Sequence, residues 1–340
     1  MRVLCCVVLL MTPRALPYAE QPSGPQTPPT SLAVAHSKIE HGDSQGALAL
    51  LEQLRTSEPG MKGLAHEFGL VYYRSGKLVE AEAAFARATQ EDPGDKESVQ
   101  LRGLTLYRLG RPAAAIPFLE QVREWTPNGN ADANYVLGLC YLNSQRYDEA
   151  RGAFALQYGV QRDSGAAYML AGEMLLEANL PEVALASGKK ALESSPDLPL
   201  LHFLLGEVYL FQSNVEAALK EFTREQQLNP AYAPLYDRLG DTYTRAGRYQ
   251  EAQEALTRAL SLDRSSTGPF IQMGKVLLKR NDPQSAAMYL QHAEKMDPGN
   301  AITHTLLGQA YRGMGRSDEA RQELEKASKI QAAGELKLPQ

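Results

Sequence analysis

The residues in this sequence that could do chemistry are few. They are six histidines (His36, His41, His66, His202, His292 and His304), one cysteine in the body of the chain (Cys140), and two acidic turns, Asp-Pro-Gly-Asp at 92–95 and Asp-Pro-Gly-Asn at 297–300. A helical metal site wants histidines four residues apart, and a structural zinc site wants paired Cys and His ligands. Neither pattern occurs. The acidic turns offer oxygens of the kind calcium prefers but lack the remaining ligands of an EF-hand loop, so they read as turns. Cys140 lies beside the apolar stripe of a helix, where a thiol is buried and inert. Gly-rich dinucleotide loops and Walker-type phosphate loops are absent. No catalytic residue, metal or cofactor is expected, and hence no enzyme.

The elements that carry these residues repeat. Steps of 34 residues, with one of 35, connect Ala47, Ala81, Ala115, Ala150, Ala184, Ala218, Ala252, Ala286 and Ala320. Twelve positions before each alanine stands a glycine (Gly69, Gly103, Gly138, Gly172, Gly206, Gly240, Gly274, Gly308), with Ala35 in the first copy. Four positions after it stands a large apolar residue (Leu51, Phe85, Leu119, Phe154, Phe222, Leu256, Leu290, Leu324), with Gly188 as the exception. Tyr236, Leu239, Gly240 and Tyr243 lie on one helical face, and Ala252, Leu256 and Ala259 on another. Between them falls Gly247, matched by Gly42, Gly76, Gly110, Gly315, Asn179 and Asn281, the residues best suited to a left-handed helix end. Pro59, Pro93, Pro127, Pro196, Pro230 and Pro298 close six copies, while Arg162 and Arg264 replace proline in two. His202 and His304 share a column with Tyr168, Tyr236 and Phe270 and read as packing residues. The extra residue lies in Asn128-Gly129-Asn130, a turn that tolerates insertion.

This two-helix unit, with Leu-Gly, Tyr, Ala, Phe or Leu, Ala and Pro in order, resembles the tetratricopeptide repeat. The resemblance covers residues 28–332, with units starting near 28, 62, 96, 131, 165, 199, 233, 267 and 301. It implies an all-α fold, a right-handed α-solenoid of about nine helix–turn–helix units. It also implies that fixed positions of each first helix line a concave groove. Here those are Tyr107, Tyr135, Leu139, Met169, Glu173, Glu177, Phe203, Glu207, Phe211, Asp237, Asp241, Arg245 and Lys275. Aromatic and aliphatic side chains would anchor a protein or peptide partner, and the carboxylates would select positive charge on it. The expected function is a non-catalytic protein-interaction scaffold. The alternative is a solenoid that assembles with copies of itself.

Composition sets further bounds. Hydrophobic residues make up 44% and charged residues 22%, as in ordinary folded proteins, and the formal net charge of −5 argues against nucleic acid as a partner. Arg2 precedes nine uncharged apolar residues, Val3 to Met11, too short a run to span a bilayer and of the kind found in secretory signals. Residues 1–19 are expected to be a signal segment, 20–30 a proline-rich linker, and 333–340 a flexible tail. Export to the periplasm or beyond is expected, the alternatives being a retained membrane anchor or a cytoplasmic protein. If the alanine column marks close helix contacts, Ala252→Leu overpacks one of them and lowers stability by roughly 1–3 kcal/mol. Thermal unfolding of that variant measures it.

Overall fold

A 34-residue hairpin of two amphipathic helices cannot cover its own apolar faces, so it must lean on the next hairpin. The computed structural model describes residues 31–125 and 133–335, and among them every regular element is an α-helix. The expected signal segment and linker, the turn at 128–130 and the chain beyond Glu335 lie outside the described residues.

The first compact unit, through Thr105, holds α1 (Ser31–Glu40), α2 (Ser44–Ser57), α3 (Leu64–Arg74), α4 (Leu78–Glu91) and the greater part of α5 (Lys96–Arg108). Its core gathers Ala47, Leu51, Phe68, Val71, Ala81 and Phe85. The second unit runs from Leu106. After the last turn of α5 it holds α6 (Pro112–Gln121), α7 (Ala133–Asn143), α8 (Tyr147–Gln157), α9 (Gly165–Glu177), α10 (Pro181–Ser194), α11 (Leu201–Phe211) and α12 (Val215–Leu228). It continues with α13 (Ala233–Arg245), α14 (Tyr249–Leu262), α15 (Gly268–Lys279), α16 (Pro283–Met296), α17 (Ala301–Gly313) and α18 (Ser317–Glu335). Within each unit a helix packs on its hairpin partner and on the neighbouring hairpin, so the core is a chain of local clusters.

The nine alanines of the repeat are all buried, none more than 3% exposed. The glycine column explains why. A Cβ on Gly69, Gly138 or Gly206 would run into the ring of Phe85, Phe154 or Phe222, and one on Gly240 would come within 2.6 Å of Leu256. The glycine's missing side chain is thus filled by the large residue four positions after the alanine. At Gly172 and Gly308 the alanine backbone also comes near, with the carbonyls of Ala184 and Ala320 at 3.5 and 3.2 Å from such a Cβ. The exception, Gly188, is repaired from the next hairpin: Leu204 fills the space over Gly172 and Leu205 that over Gly188.

The turn between the two helices is the same nine times. Gly42, Gly76, Gly110, Gln145, Asn179, Ser213, Gly247, Asn281 and Gly315 all have positive φ. The N–H of the following residue reaches back five positions, as Asn214 does to the Tyr209 carbonyl at 2.8 Å and Arg248 to Tyr243 at 2.9 Å. This double-bonded C-terminal cap satisfies the last carbonyls of each first helix. Gln145 and Ser213 adopt it against the preference of L-residues, and both are exposed. Ser213→Gly is therefore expected to stabilise the protein by roughly 1 kcal/mol, the left-handed penalty less glycine's extra chain entropy. The thermal midpoint reads it.

Candidate partner-binding face

The residues with chemical potential are taken up by packing. Cys140 is fully buried, and burial pushes its thiol up to about 12, far from a nucleophilic thiolate. The Asp-Pro-Gly turns cap helices: Asp95 accepts from the Ser98 N–H at 3.0 Å, and Asn300 from those of Ile302 and Thr303 at 3.0 and 3.2 Å. His292 lies against Phe270, with ring centroids 4.2 Å apart. His202 and His304 do more than fill a column. Each offers Nδ1 to a carboxylate at 2.6 Å (Glu221 and Glu323) and donates from Nε2 to the carbonyl of Pro196 or Pro298, at 3.2 and 2.9 Å. Tyr236 donates in the same way to Pro230 at 2.9 Å. The closing proline's carbonyl is thereby tied to the first helix of the next hairpin. Where Arg162 closes a copy in place of proline, its carbonyl accepts from Arg151 of α8, within the same hairpin.

All thirteen groove residues lie in the second unit, on α5, α7, α9, α11, α13 and α15, each the first helix of its hairpin. They differ in what they have left to offer. Tyr135 and Phe203 are half-buried, with rings 5.8 and 5.7 Å from Phe154 and Phe222, and Phe203 also meets Tyr232 edge-on at 5.3 Å. Tyr107, Leu139 and Met169 are half-buried, and Phe211 stands exposed at 43%. Among the charges, Glu207 pairs with Arg238 at 2.9 Å, linking α11 to α13, and the buried Asp241 holds Arg245 at 2.8 Å. Asp237 is half-buried, and one of its carboxylate oxygens has no hydrogen-bond partner. Burial raises its pKa, with Arg238 opposing and Asp241 adding to the effect. Burial, helped by the exposed Glu177, lifts Glu173 to about 7. Lys275 is half-buried on α15. The face therefore combines partly covered apolar groups with carboxylates that are short of positive charge.

The tetratricopeptide repeat pattern matches residues 38–104, 106–172 and 277–336, and a second form of it matches 233–266. The chain belongs to the tetratricopeptide repeat family. Solved tetratricopeptide-like structures resemble it in part. MamA from Desulfovibrio magneticus RS-1 is 16% identical with a TM-score of 0.47, over 50% of this chain and 96% of that one. YrrB, described as a TPR protein with an unusual peptide-binding site, is 23% identical with a TM-score of 0.46, over 54% and 94%. The APC/C hetero-tetramer Cut9-Hcn1 is 16% identical with a TM-score of 0.46, over 82% and 55%. At these identities the likeness concerns the fold alone. No curated protein matches the sequence.

Some tetratricopeptide features of this chain escaped the column reading. Arg146, Arg248 and Arg316 each lie 4.6 to 4.8 Å over the ring of Tyr141, Tyr243 or Tyr311 and bond Glu149, Glu251 or Glu319 three residues on. The Tyr-x4-Arg-x2-Glu spacing recurs at multiples of the repeat and could have been found from it. The histidine–carboxylate pairs also share a spacing, His202 to Glu221 and His304 to Glu323, but that spacing does not say that the two side chains meet. Glu294, His304 and Glu323 bring one ligand atom each within 4.8 Å of one another.

In the first unit His66 Nδ1 lies 3.0 Å from Asp95 and 2.7 Å from the Ser98 hydroxyl. Burial opposes the charged ring, but the bond and charge of Asp95, with Glu97 and Glu67 nearby, outweigh it and hold its pKa above 6.5. Asp95 is also opposed by burial, yet His66 and Ser98 hold it far below 3.8. A raised histidine stabilises fully below its unfolded value and loses that effect as pH climbs through the folded one; a depressed carboxylate stabilises above its unfolded value and loses it on acidification. The pair contributes most between 3.8 and 6.5. The urea-midpoint gap between wild type and His66→Gln should be wider at about pH 5.5 than at about pH 8.5.

Proposed function

We propose that this chain is a non-catalytic scaffold that holds a protein or peptide partner along the first-helix face of its second unit. Membership of the tetratricopeptide repeat family supports an interaction role. The observation that carries the reading is the arrangement of that face: exposed Phe211 and half-buried Met169 and Leu139 share it with Glu173 and Asp237, whose pKa values burial has raised. None of these positions belongs to the glycine, alanine or large-residue columns, although Met169 also packs against the Ala191, Leu201 and Leu205 cluster.

A partner presenting Lys or Arg beside apolar side chains fits this chemistry. Its cation would hold Glu173 ionised and offset the cost of burying that carboxylate. Catalysis has no place in the reading, because the histidines, Cys140 and most carboxylates described above are engaged in holding helices together. The compartment proposed is the cell envelope, supported by Arg2 and the apolar run Val3–Met11. No described helix is long and apolar enough to cross a membrane.

The test is capture of partners from an envelope extract by the wild-type chain and by the variant Phe211→Ser, Glu173→Lys, Glu177→Lys. The three side chains are exposed or half-buried, so circular dichroism should be unchanged while the captured proteins are lost. The same set of captured proteins for both chains would remove this face from consideration.

A further inference from the structure

We propose that Glu294, His304 and Glu323 form a binding site for a divalent transition-metal ion of the zinc class, clamping the last three helices together. The three residues come from α16, α17 and α18, and no two are close in sequence. His304 Nδ1 is 2.6 Å from Glu323 Oε2 and 3.9 Å from Glu294 Oε1. The side chain of His304 is 3% exposed, that of Glu323 10% and that of Glu294 29%, so the imidazole and one carboxylate are buried and the second carboxylate opens the site to solvent on one side.

The other face of the ring is already held as a metal ligand's ring is held. Nε2 lies 2.9 Å from the Pro298 carbonyl, which can only accept, so this nitrogen carries its proton and Nδ1 is aimed at the carboxylates. A backbone carbonyl on the non-ligating nitrogen is the usual support for a metal-bound histidine. Two carboxylates facing one imidazole nitrogen require positive charge between them. A proton on Nδ1 supplies part of it, and Lys326 supplies the rest, with Nζ 2.8 Å from Glu323 and 3.2 Å from Glu294. Lys326 is half-exposed on a flexible stem and can swing into solvent, whereas the three ligands are fixed to packed helices. A divalent ion would displace both the Nδ1 proton and the ammonium and leave the site neutral.

The distances are within reach. Ligand atoms about 2.0–2.2 Å from a tetrahedral zinc stand about 3.3 Å apart, so each carboxylate oxygen need move by less than about 1 Å. One nitrogen and two oxygens, with water as the fourth ligand, suit zinc, whereas calcium and magnesium take six or more oxygens.

The chain carries its own control three repeats earlier. His202 makes the same two bonds, to Glu221 and the Pro196 carbonyl, but Leu192 stands where Glu294 would be and Arg224 where Lys326 would be. Holding a hairpin together thus needs only the histidine and one glutamate. Glu294 is surplus to that contact and completes a ligand set.

The experiment is titration of the untagged full chain, stripped with chelator, with Zn2+ by calorimetry, and with Co2+ by visible absorption. One equivalent should bind, raise the thermal midpoint and give the intense Co2+ bands of a tetrahedral site. Glu294→Leu recreates the arrangement around His202, so it should fold while weakening Zn2+ by at least about tenfold. His202→Gln should leave the stoichiometry unchanged. Absence of binding to the folded wild type, or binding that survives Glu294→Leu unaltered, would overturn the proposal.

Discussion

The rings of Phe85, Phe154 and Phe222 occupy the volume that a side chain would need on Gly69, Gly138 and Gly206, and this contact sets how closely the two helices of a hairpin approach. Elsewhere Leu256, Leu290 and Leu324 do the same over Gly240, Gly274 and Gly308. Close approach leaves room only for alanine at the crossing, and it requires the connecting turn to reverse within a few residues. The left-handed residue at each turn is the backbone's answer to that requirement. Where the large residue is missing, at Gly188, leucines of the following hairpin supply the volume, so the rule is filled space rather than a given side chain.

Joining one hairpin to the next uses different means. Apolar clusters run from hairpin to hairpin within each unit, and polar ties are laid over them at the junctions. The carbonyl of a closing proline is received by His202, Tyr236 or His304 on the first helix of the next hairpin. These ties use groups that would otherwise be left without partners on burial, which is why histidine can occupy a packing column without a catalytic purpose.

Some first-helix positions lie outside the packing columns. On the first helices of the second unit these include Phe211, Glu173 and Asp237, and burial disfavours the anionic form of both carboxylates, against the pull of Arg238 on Asp237. Glu207 and Asp241, read from sequence as equivalent to them, are instead neutralised by Arg238 and Arg245. The acidic strip is narrower than its sequence suggests, because two of its five carboxylates are paired inside the protein.

Periodicity alone determined the helical hairpin, its length, the buried alanines and seven of the nine left-handed turn positions, since each depends on residues close in the chain and repeated many times. The turns at Gln145 and Ser213 carry no glycine or asparagine; the packing of their hairpins imposed the conformation. Which carboxylate meets which cation, and that Glu294, His304 and Glu323 converge, was decided only by tertiary structure. Those groups lie on separate helices, and their meeting depends on how one hairpin is rotated against another, which a spacing along the chain does not record.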